Sequence, residues 1–416
     1  MKRHTFSGPA LAAALGLAAG AGAGALGAAE LEVTHWWTSG GEAKAVKEFA
    51  DAFDATGNTW VDGAIAGSGD VAKPIIVSRL VGGDPMGATQ FNHGRQAEEL
   101  VEAGLFRDLT ELAEKEGWRD VVNPSSLLDG CTLDGKIYCV PVNIHSAQWL
   151  WLSNAAFESA GVEVPTNWDE FVAAGPALRE AGITPLAIGS QPWQATIVFQ
   201  VLLPALAGVE TYRGVFEAKD PEIAAGEDMR RVFEALGDAR ELSRGTTVQD
   251  WNQATNLVIT GQAGGQIMGD WAQGEFANAG QEAGTDYGCL PGLGVNEVIG
   301  TGGDAFYFPV LDDQAKSEAQ LALASTFISP ATQVAFNLAK GSLPVRGDVD
   351  LQATNECMQK GLEILKSGNT IPDLTQLLTQ DTNTQINDLI VQFFADDGFS
   401  PEDAQEAFAS LIERAD

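Results

Sequence analysis

Hydrophobic and polar positions in the first part of the chain follow two alternating periods. Leu31 and Val33 have the two-residue period of a β-strand, and the apolar positions within 44–53 have the spacing of a helix. Residues 60–65 and 88–92 repeat the strand pattern, and helices are predicted over 71–81 and 96–103. The alternation predicts an α/β fold with a mainly parallel sheet covered by helices.

A second group of predicted strands begins after residue 140. Trp149 and Trp151 alternate within 147–152, and strand-like runs recur at 184–188, 264–271 and 286–290. The glycine-rich loop 300–303 leads into an aromatic strand, and helices are predicted over 317–329 and 331–338. The rest of the chain is helical, with an acidic C-terminal part. A second α/β unit is therefore predicted.

The N-terminus has the pattern of a secretory signal peptide. Lys2 and Arg3 precede a run rich in Ala, Leu and Gly at 9–26, and small residues lead to a predicted cleavage after Ala29. A membrane anchor is the alternative interpretation. No later stretch approaches the roughly 18 apolar residues of a membrane span. The mature protein is therefore expected in the periplasm.

Size and charge restrict the class of protein. Removing residues 1–29 from the 416 leaves 387, which is too long for one ordinary core and fits two domains. A net charge of −33 argues against nucleic acid or an anionic membrane as a partner. The 45% of hydrophobic residues excludes a disordered chain.

Four cysteines in an exported protein predict two disulfides with three possible pairings. If 134–136 is a three-residue hairpin loop, Cys131 and Cys139 face each other across the two strands. That local pairing leaves Cys289 for Cys357. A zinc site is a weaker alternative because the chain has no C-x-x-C motif, and no metal or other cofactor is expected.

Polar and aromatic residues recur at the predicted strand ends of both halves. In open α/β sheets these ends are where ligands bind. Indole rings suit the C–H faces of a pyranose, and carboxylates and amides suit its hydroxyls. Any one of these residues could instead be a core or capping residue. The candidate ligand residues are Trp36, Trp37, Glu42, Gln90, Asn92, His93, Trp193, Gln194, Trp251, Asn252, Trp271, Asp304 and Lys340.

Several longer motifs give the chain a specific resemblance. They are E-L-E-V-T-H-W-W-T-S-G-G-E, D-G-K-I-Y-C-V-P-V-N-I-H, the W-D-E-F helix, G-Q-I-M-G-D-W-A-Q-G-E-F and K-G-S-L-P-V-R. With the leader, they resemble the extracellular sugar-binding proteins of ABC importers, and the glucose/mannose type in particular. The resemblance implies a two-lobed, type II periplasmic-binding-protein fold with hinge crossovers. It also implies a monomer that binds a monosaccharide such as glucose or mannose and delivers it to permease subunits in the inner membrane.

The resemblance also assigns roles to some of the candidate residues. Trp36, Trp37 and Trp271 would stack on the sugar, while Glu42, Asp304 and Lys340 would bind its hydroxyls. The chain departs from the glucose group in two places: Asn92 and His93 stand where a lysine is common, and no histidine follows His145. A related aldose, a disaccharide, a polyol or a glycosylated osmolyte therefore remains open as the ligand.

The predicted lobes follow from three crossings between the two halves, near 141–143, 300–303 and 340–346. The N-terminal lobe would comprise 30–140 plus about 300–340, and the C-terminal lobe 141–299 plus about 341–416. The main competing function is a secreted glycosidase, which needs two acids at a set separation; Asp250, Asp270, Glu275 and Asp304 are available. No sequence feature marks one of them as a general acid, and the expectation is a binding protein without enzymatic activity.

Overall fold

The computed structural model describes Met1 and residues 28–415. The predicted signal peptide lies almost entirely outside the described residues, and its cleavage after Ala29 stays a prediction. Within the described part of the chain, no helix has both the length and the apolar character that a membrane crossing requires.

The described residues form thirteen strands, several of them only two residues long. They are β1 (Glu30–His35), β2 (Thr59–Ala64), β3 (Ala88–Asn92), β4 (Thr132–Leu133), β5 (Lys136–Ile137), β6 (Cys139–Pro141), β7 (Trp149–Ser153), β8 (Thr184–Leu186), β9 (Ala263–Ile267), β10 (Tyr287–Pro291), β11 (Ile299–Gly300), β12 (Asp304–Tyr307) and β13 (Thr370–Ile371).

Twenty α-helices connect and cover the strands in the described part of the chain. They are α1 (Gly40–Asp54), α2 (Ser68–Gly82), α3 (Glu98–Glu102), α4 (Thr110–Glu116), α5 (Trp118–Val121), α6 (Ser126–Asp129), α7 (Asn154–Ala160), α8 (Trp168–Glu180), α9 (Pro192–Leu206), α10 (Gly208–Phe216), α11 (Pro221–Ala224), α12 (Glu227–Leu242), α13 (Trp251–Ile259), α14 (Ala272–Asn278), α15 (Gln314–Ile328), α16 (Pro330–Lys340), α17 (Glu356–Ser367), α18 (Leu374–Leu377), α19 (Gln380–Ala395) and α20 (Pro401–Ile412).

Two sheets organise the molecule, one in each lobe. The first has the strand order β2-β1-β3-β12-β6, and the second has the order β10-β7-β9-β8. Strand β1 is parallel to β2 and β3, but β12 is antiparallel to both β3 and β6. In the second sheet, β7 is antiparallel to β9 and β10, and only β8 and β9 are parallel. The structure is thus a two-lobed, type II α/β fold.

The prediction of a mainly parallel sheet is wrong, since each sheet is mixed. The reason is the path of the chain between the lobes. It leaves the first sheet through β6, builds all four strands of the second sheet, and comes back through β12. Consecutive parallel strands of one sheet are joined by a right-handed crossover. A strand that returns from a distant lobe has no such connection and can pair antiparallel to its neighbours. Periodicity along the chain carries no information about that return.

The three crossings between the sheets lie side by side. The backbone N–H of Val142 donates to the carbonyl of Asp304 (2.9 Å), and that of His145 donates to Gly302 (3.1 Å). The first and third crossings pair at Ile144 and Leu343, whose backbones exchange hydrogen bonds of 2.7 and 2.9 Å. Any rotation between the lobes must therefore bend all three segments together. The predicted residue limits of the lobes remain a prediction.

Both predicted disulfides are present, Cys131–Cys139 and Cys289–Cys357. The hairpin beside the first differs from the prediction, because Leu133 pairs with Lys136 and leaves a two-residue turn instead of a three-residue loop. Asp134 and Gly135 both have positive φ in this turn, as in the tight turns that suit the strand twist. The second disulfide joins β10 to helix α17 and so ties the C-terminal segment to the second sheet.

We expect thiol titration of the unfolded, unreduced protein to detect no free thiol. Both disulfides use up all four cysteines of the chain. The same titration after reduction should detect four, which serves as the control. Detection of thiols before reduction would contradict the pairing and would reopen the zinc alternative.

Candidate functional site

A cavity of about 190 Å³ lies between the two lobes, at the ends of the strands of the first sheet. The first lobe contributes residues that follow β1, the first turns of α1 and α2, the end of β3, the start of β12 and the end of α16. The second lobe contributes residues of α9, α13 and the turn before α14. The lining residues are Trp36, Trp37, Glu42, Ser68, Gly69, Asp70, Lys73, Asn92, His145, Trp193, Ile197, Trp251, Trp271, Asp304 and Lys340.

Nine of the thirteen predicted ligand residues line this cavity. They come from segments spread over about 300 positions of sequence, so the fold alone brings them together. The nine are Trp36, Trp37, Glu42, Asn92, Trp193, Trp251, Trp271, Asp304 and Lys340.

Trp271 is the centre of an aromatic group on the second-lobe side. The ring of His145 lies 5.0 Å from it, Trp193 lies 6.4 Å away, and Trp251 stands edge-on at 6.5 Å, measured between ring centroids. Trp271 is only partly buried, although packed against the core. A Cβ at Gly269 would meet the indole of Trp271 at 2.0 Å, so glycine allows this ring to fold back over its own turn.

The two adjacent tryptophans after β1 have different environments. Trp36 is partly exposed to the cavity, whereas Trp37 is only 3% exposed. The Trp37 ring packs against Phe336 (5.2 Å) and Phe306 (5.6 Å) of the first lobe. Successive residues of an extended chain point to opposite sides, which sends one indole to the ligand side and the other to the core. Trp37 presents little of its face to a ligand and is mainly a core residue.

Glu42 and Lys340 form a buried ion pair at the edge of the cavity. Glu42 Oε1 accepts from Lys340 Nζ at 2.8 Å, and the two side chains are 8% and 2% exposed. Glu42 Oε2 accepts from the backbone N–H of Thr38 and Ser39, completing the capping box that begins α1. The pair joins the first turn of α1 to the last turn of α16. Both charges are therefore already compensated before a ligand arrives.

Asp304 is held by two amide side chains. Its Oδ1 accepts from Gln90 Nε2 at 2.7 Å and its Oδ2 accepts from Asn143 Nδ2 at 3.0 Å. Asn143 also accepts from the Asp304 backbone N–H, and Gln90 accepts from the backbone N–H of Trp36. A carboxylate oxygen has more than one acceptor site, so each can accept a further ligand hydroxyl. Gln90 lies behind the cavity lining and acts by positioning Asp304 and Trp36.

His145 lines the cavity although it was not predicted to do so. Its Nδ1 lies 3.7 Å from Asp304 Oδ2. Burial lowers the pKa of His145, and the Lys340 charge acts in the same direction, while the Asp304 charge opposes both. A neutral imidazole offers one donor and one acceptor, which is the pattern of a hydroxyl-binding group. Its position two residues after Asn143, on the first crossing, is the only sequence signal for it.

Besides Gln90, three predicted ligand residues do not line the cavity. His93 is fully buried, its Nδ1 lies 3.1 Å from Gln376 Nε2, and burial lowers its pKa to about 4. Gln194 uses its side chain to fix the loop before α9, accepting from Gly189 N–H at 2.8 Å. Asn252 is on α13 beside Trp251 but does not line the cavity. Each is adjacent in sequence to a lining residue, and adjacent residues on a strand or helix face different ways.

The start of α2 supplies a group of lining residues that were not among the predicted ligand residues. It comprises Ser68, Gly69, Asp70 and, one turn later, Lys73. Burial lowers the pKa of Lys73, and only Asp70 opposes this. The lysine forms no ion pair within 4 Å among the described residues. The sequence did contain a signal for these residues, since G-S-G-D follows strand β2 at the same end of the sheet as the polar and aromatic residues that follow the other strands.

The acids proposed for a glycosidase have structural partners. Asp270 accepts from the Ser146 backbone N–H at 3.0 Å in the hinge region, and burial raises its pKa well above the usual range. Asp250 caps α13, and Glu275 accepts from the Gly41 N–H at 2.8 Å. Of the four, only Asp304 lines the cavity. Among the described residues there is also no cluster of three His, Cys, Asp or Glu side chains that could hold a metal ion.

Comparison with known proteins agrees with this arrangement. Residues 37–334 match the family model of the bacterial extracellular solute-binding proteins. A protein of Brucella melitensis, named a probable sugar-binding periplasmic protein, is 38% identical over 82% of this chain and 80% of its own length. A protein of Rhizobium meliloti with the same name is 38% identical over 86% and 85%. The chain therefore belongs to the bacterial extracellular solute-binding proteins, a family of binding proteins rather than enzymes.

Solved structures confirm the fold. A chitin oligosaccharide binding protein superimposes with a TM-score of 0.74 at 19% identity, covering 93% of this chain and 99% of the other. The maltose-bound MalE3 of T. maritima has a TM-score of 0.74 at 16% identity, with coverages of 93% and 99%. At these identities the likeness concerns the fold. The expectation of a two-lobed, type II α/β protein is thus confirmed. The expectation of a binding protein rather than an enzyme is confirmed by the family match and by the relatives named sugar-binding periplasmic proteins.

Proposed function

We propose that this protein captures a sugar with a hexopyranose ring, of the glucose or mannose type, in the periplasm. It acts as a monomer and delivers the sugar to the permease subunits of an ABC importer in the inner membrane. The single observation that carries the proposal is the composition of the interlobe cavity. Partly exposed indoles from both lobes and hydroxyl-binding side chains from the first lobe line the same 190 Å³ space.

The chemistry of the lining favours a neutral, polyhydroxylated ring. Trp36 and Trp271 offer flat faces for the C–H side of a pyranose. Asp304, Asn92 and the neutral His145 offer acceptors and donors for the hydroxyls at its edge. Three carboxylates, Glu42, Asp70 and Asp304, line the cavity against the two lysines Lys73 and Lys340, and Lys340 is already paired with Glu42, so an anion would meet more negative than positive charge. Relatives that are named probable sugar-binding periplasmic proteins, at 38% identity, support the same ligand class.

Lobe closure would couple sugar capture to delivery. Two hydrogen bonds cross between the lobes at the edge of the cavity: Gly41 N–H to Glu275 (2.8 Å) and Gln191 Nε2 to Ser68 Oγ (3.2 Å). At the first contact the backbones touch, since a Cβ on Gly41 would lie 2.6 Å from the carbonyl carbon of Gly274. A sugar held by both lobes binds the closed arrangement better than the open one, which is the differential affinity that closure requires.

Isothermal titration calorimetry against a panel of aldoses and polyols should find binding with one sugar per chain. A ligand at 100 times its Kd should also raise the free energy of unfolding by about 2.7 kcal/mol. A protein unfolded and refolded in the absence of sugar is the starting material, so that a retained ligand does not mask binding. Absence of binding across the panel, or hydrolysis of a glycoside, would contradict the proposed function.

We expect the sugar that binds to reduce the radius of gyration measured by small-angle X-ray scattering. A sugar of the panel that shows no heat of binding is the matched control and should leave the radius unchanged. Binding without compaction would count against hinge closure while leaving sugar binding intact.

A further inference from the structure

A second cavity, the first-lobe cavity, lies on the other side of the first sheet from the interlobe cavity. It has a volume of about 360 Å³ and shares no lining residue with the interlobe cavity. Side chains of a strand point to alternate faces of its sheet, so Asp304 and Tyr307 of β12 lie on different faces. Asp304 lines the interlobe cavity, and Tyr307 lines the first-lobe cavity. The rest of the lining comes mainly from α3 and the turn before it, α6, the β4–β5 hairpin and the segment 372–376.

The walls of the first-lobe cavity are held in place by covalent and aromatic contacts. Cys131 is part of the lining, and its disulfide to Cys139 ties the start of the hairpin to β6. The ring of Tyr307 packs against Phe106 and Phe91, with ring centroids 5.0 and 5.7 Å apart. The volume also falls in the range of about 300–1,000 Å³ that is usual for small-molecule sites. The cavity is therefore formed before a ligand arrives, which lowers the entropic cost of binding.

One buried polar group of the lining is not used by the protein itself. Tyr307 is only 2% exposed, and its hydroxyl forms no hydrogen bond with any described residue. Burial is the only cause of its raised pKa, so the phenol stays protonated at neutral pH and can donate as well as accept. Most buried polar groups in proteins have a partner, and leaving one without a partner is destabilising. A hydroxyl group of a ligand would provide that partner.

Apolar atoms make up most of the surface that lines the first-lobe cavity. A sugar carries hydroxyls around its whole ring and would lose hydrogen bonds to water against such a wall. A flat apolar ring would lose none and would gain contacts with the aromatic and aliphatic side chains. The apolar and aromatic residues of the lining are Val101, Leu133, Tyr138, Tyr307 and Pro372.

The charged residues of the lining disfavour an anionic ligand. Glu98 and Asp129 contribute two carboxylates, and Arg95 contributes one guanidinium. The Arg95 Nε lies 2.9 Å from the Glu98 carboxylate, so the positive charge is already compensated. An anion in this cavity would therefore meet more negative than positive charge.

We propose that the first-lobe cavity is a second binding site, for a small neutral aromatic compound with one hydroxyl group. The aromatic ring lies against the apolar wall, and its hydroxyl forms a hydrogen bond with the Tyr307 hydroxyl. The site is separated from the interlobe cavity by the first sheet, so the inference does not depend on which sugar the protein binds.

Isothermal titration calorimetry with 2-naphthol tests the site. This probe has a fused apolar ring and one hydroxyl, and it is uncharged at neutral pH. It should bind one molecule per chain with a Kd below about 1 mM. The comparison compound is 2-naphthoate, which has the same ring with a carboxylate and should bind at least roughly tenfold more weakly.

Two variants place the probe in the first-lobe cavity. Tyr307→Phe removes only the hydroxyl and should weaken 2-naphthol binding by about twofold to tenfold, the effect of one hydrogen bond. Leu133→Glu introduces a carboxylate into the apolar wall and should abolish detectable binding. The matched controls are Tyr287→Phe, at a buried tyrosine of the second lobe, and Val295→Glu, at an exposed valine, neither of which lines the cavity. Both controls should bind 2-naphthol as the parent protein does.

Circular dichroism and the melting temperature check that each variant is folded. Absence of 2-naphthol binding by the parent protein would overturn the second site. Unchanged affinity in folded Tyr307→Phe would overturn it as well, because the probe would then lie elsewhere, and this holds even if Leu133→Glu fails to fold. Equal affinity for 2-naphthoate would overturn the neutral ligand class. None of these results would affect the proposed function in the interlobe cavity.

Discussion

Replacing Lys340 with Met should lower the free energy of unfolding by about 3–5 kcal/mol. The substitution leaves the Glu42 carboxylate buried beside an apolar side chain, and an uncompensated buried charge is strongly destabilising. The pair is almost fully shielded from water, with Nζ and Oε1 2.8 Å apart. Urea denaturation followed by tryptophan fluorescence measures the loss, since the chain has ten tryptophans.

A double variant separates loss of the ion pair from loss of packing. Glu42→Gln/Lys340→Met removes both charges and should recover most of the stability lost by Lys340→Met alone. The matched control is Lys136→Met, because Lys136 pairs with Asp108 at 3.5 Å on an exposed surface. Exposed pairs of this kind contribute about 1 kcal/mol or less. A Lys340→Met protein as stable as the Lys136→Met protein would show that water reaches the Glu42–Lys340 pair.

Replacing Trp271 with Ala should weaken sugar binding by about 2–4 kcal/mol, which corresponds to roughly 30-fold to 1,000-fold in Kd. Trp271 is the ring around which His145, Trp193 and Trp251 are grouped, and it is partly exposed to the cavity. An aromatic anchor at the centre of a site contributes more to binding than residues at its rim. Calorimetry with the sugar that binds the parent protein measures the change.

The control for Trp271 is a tryptophan of the core. Trp168 is 2% exposed, stacks on Phe171 at 5.7 Å between ring centroids, and does not line the cavity. Trp168→Ala should cost about 3–5 kcal/mol of stability and leave sugar affinity unchanged in the folded fraction. If Trp271→Ala instead lowers the melting temperature as much as Trp168→Ala and leaves affinity intact, Trp271 is a core residue.

The sequence predicted much of the site because its residues follow strands. Trp36, Asn92 and Trp271 each come at or after the end of a strand, and strand ends are recognisable from periodicity and composition. The two disulfides were also predictable, because the first spans a short hairpin and leaves one partner for each remaining cysteine.

The features of the fold and the site that the sequence did not predict share a physical origin. Which of two adjacent side chains faces the ligand depends on the orientation of its element in the lobe, and this separates Asn92 from His93 and Trp251 from Asn252. Ion pairing between distant segments is equally invisible, so the bond between Glu42 and Lys340 was not predicted, although both residues line the cavity as expected. The antiparallel β12 likewise depends on a return from the other lobe.

The backbone contact between Gly41 and Gly274 limits how far the lobes can approach. No side chain of either lobe lies between the two chains there, and a single added methyl group at Gly41 would lie 2.6 Å from the opposite backbone. The contact involves no ligand atom, so the final spacing of the lobes is set by main-chain atoms whichever sugar is bound. A permease that contacts only the outer surface would thus encounter the same spacing of the lobes whichever sugar is bound. Discrimination among sugars must therefore be complete before the binding protein docks on the permease.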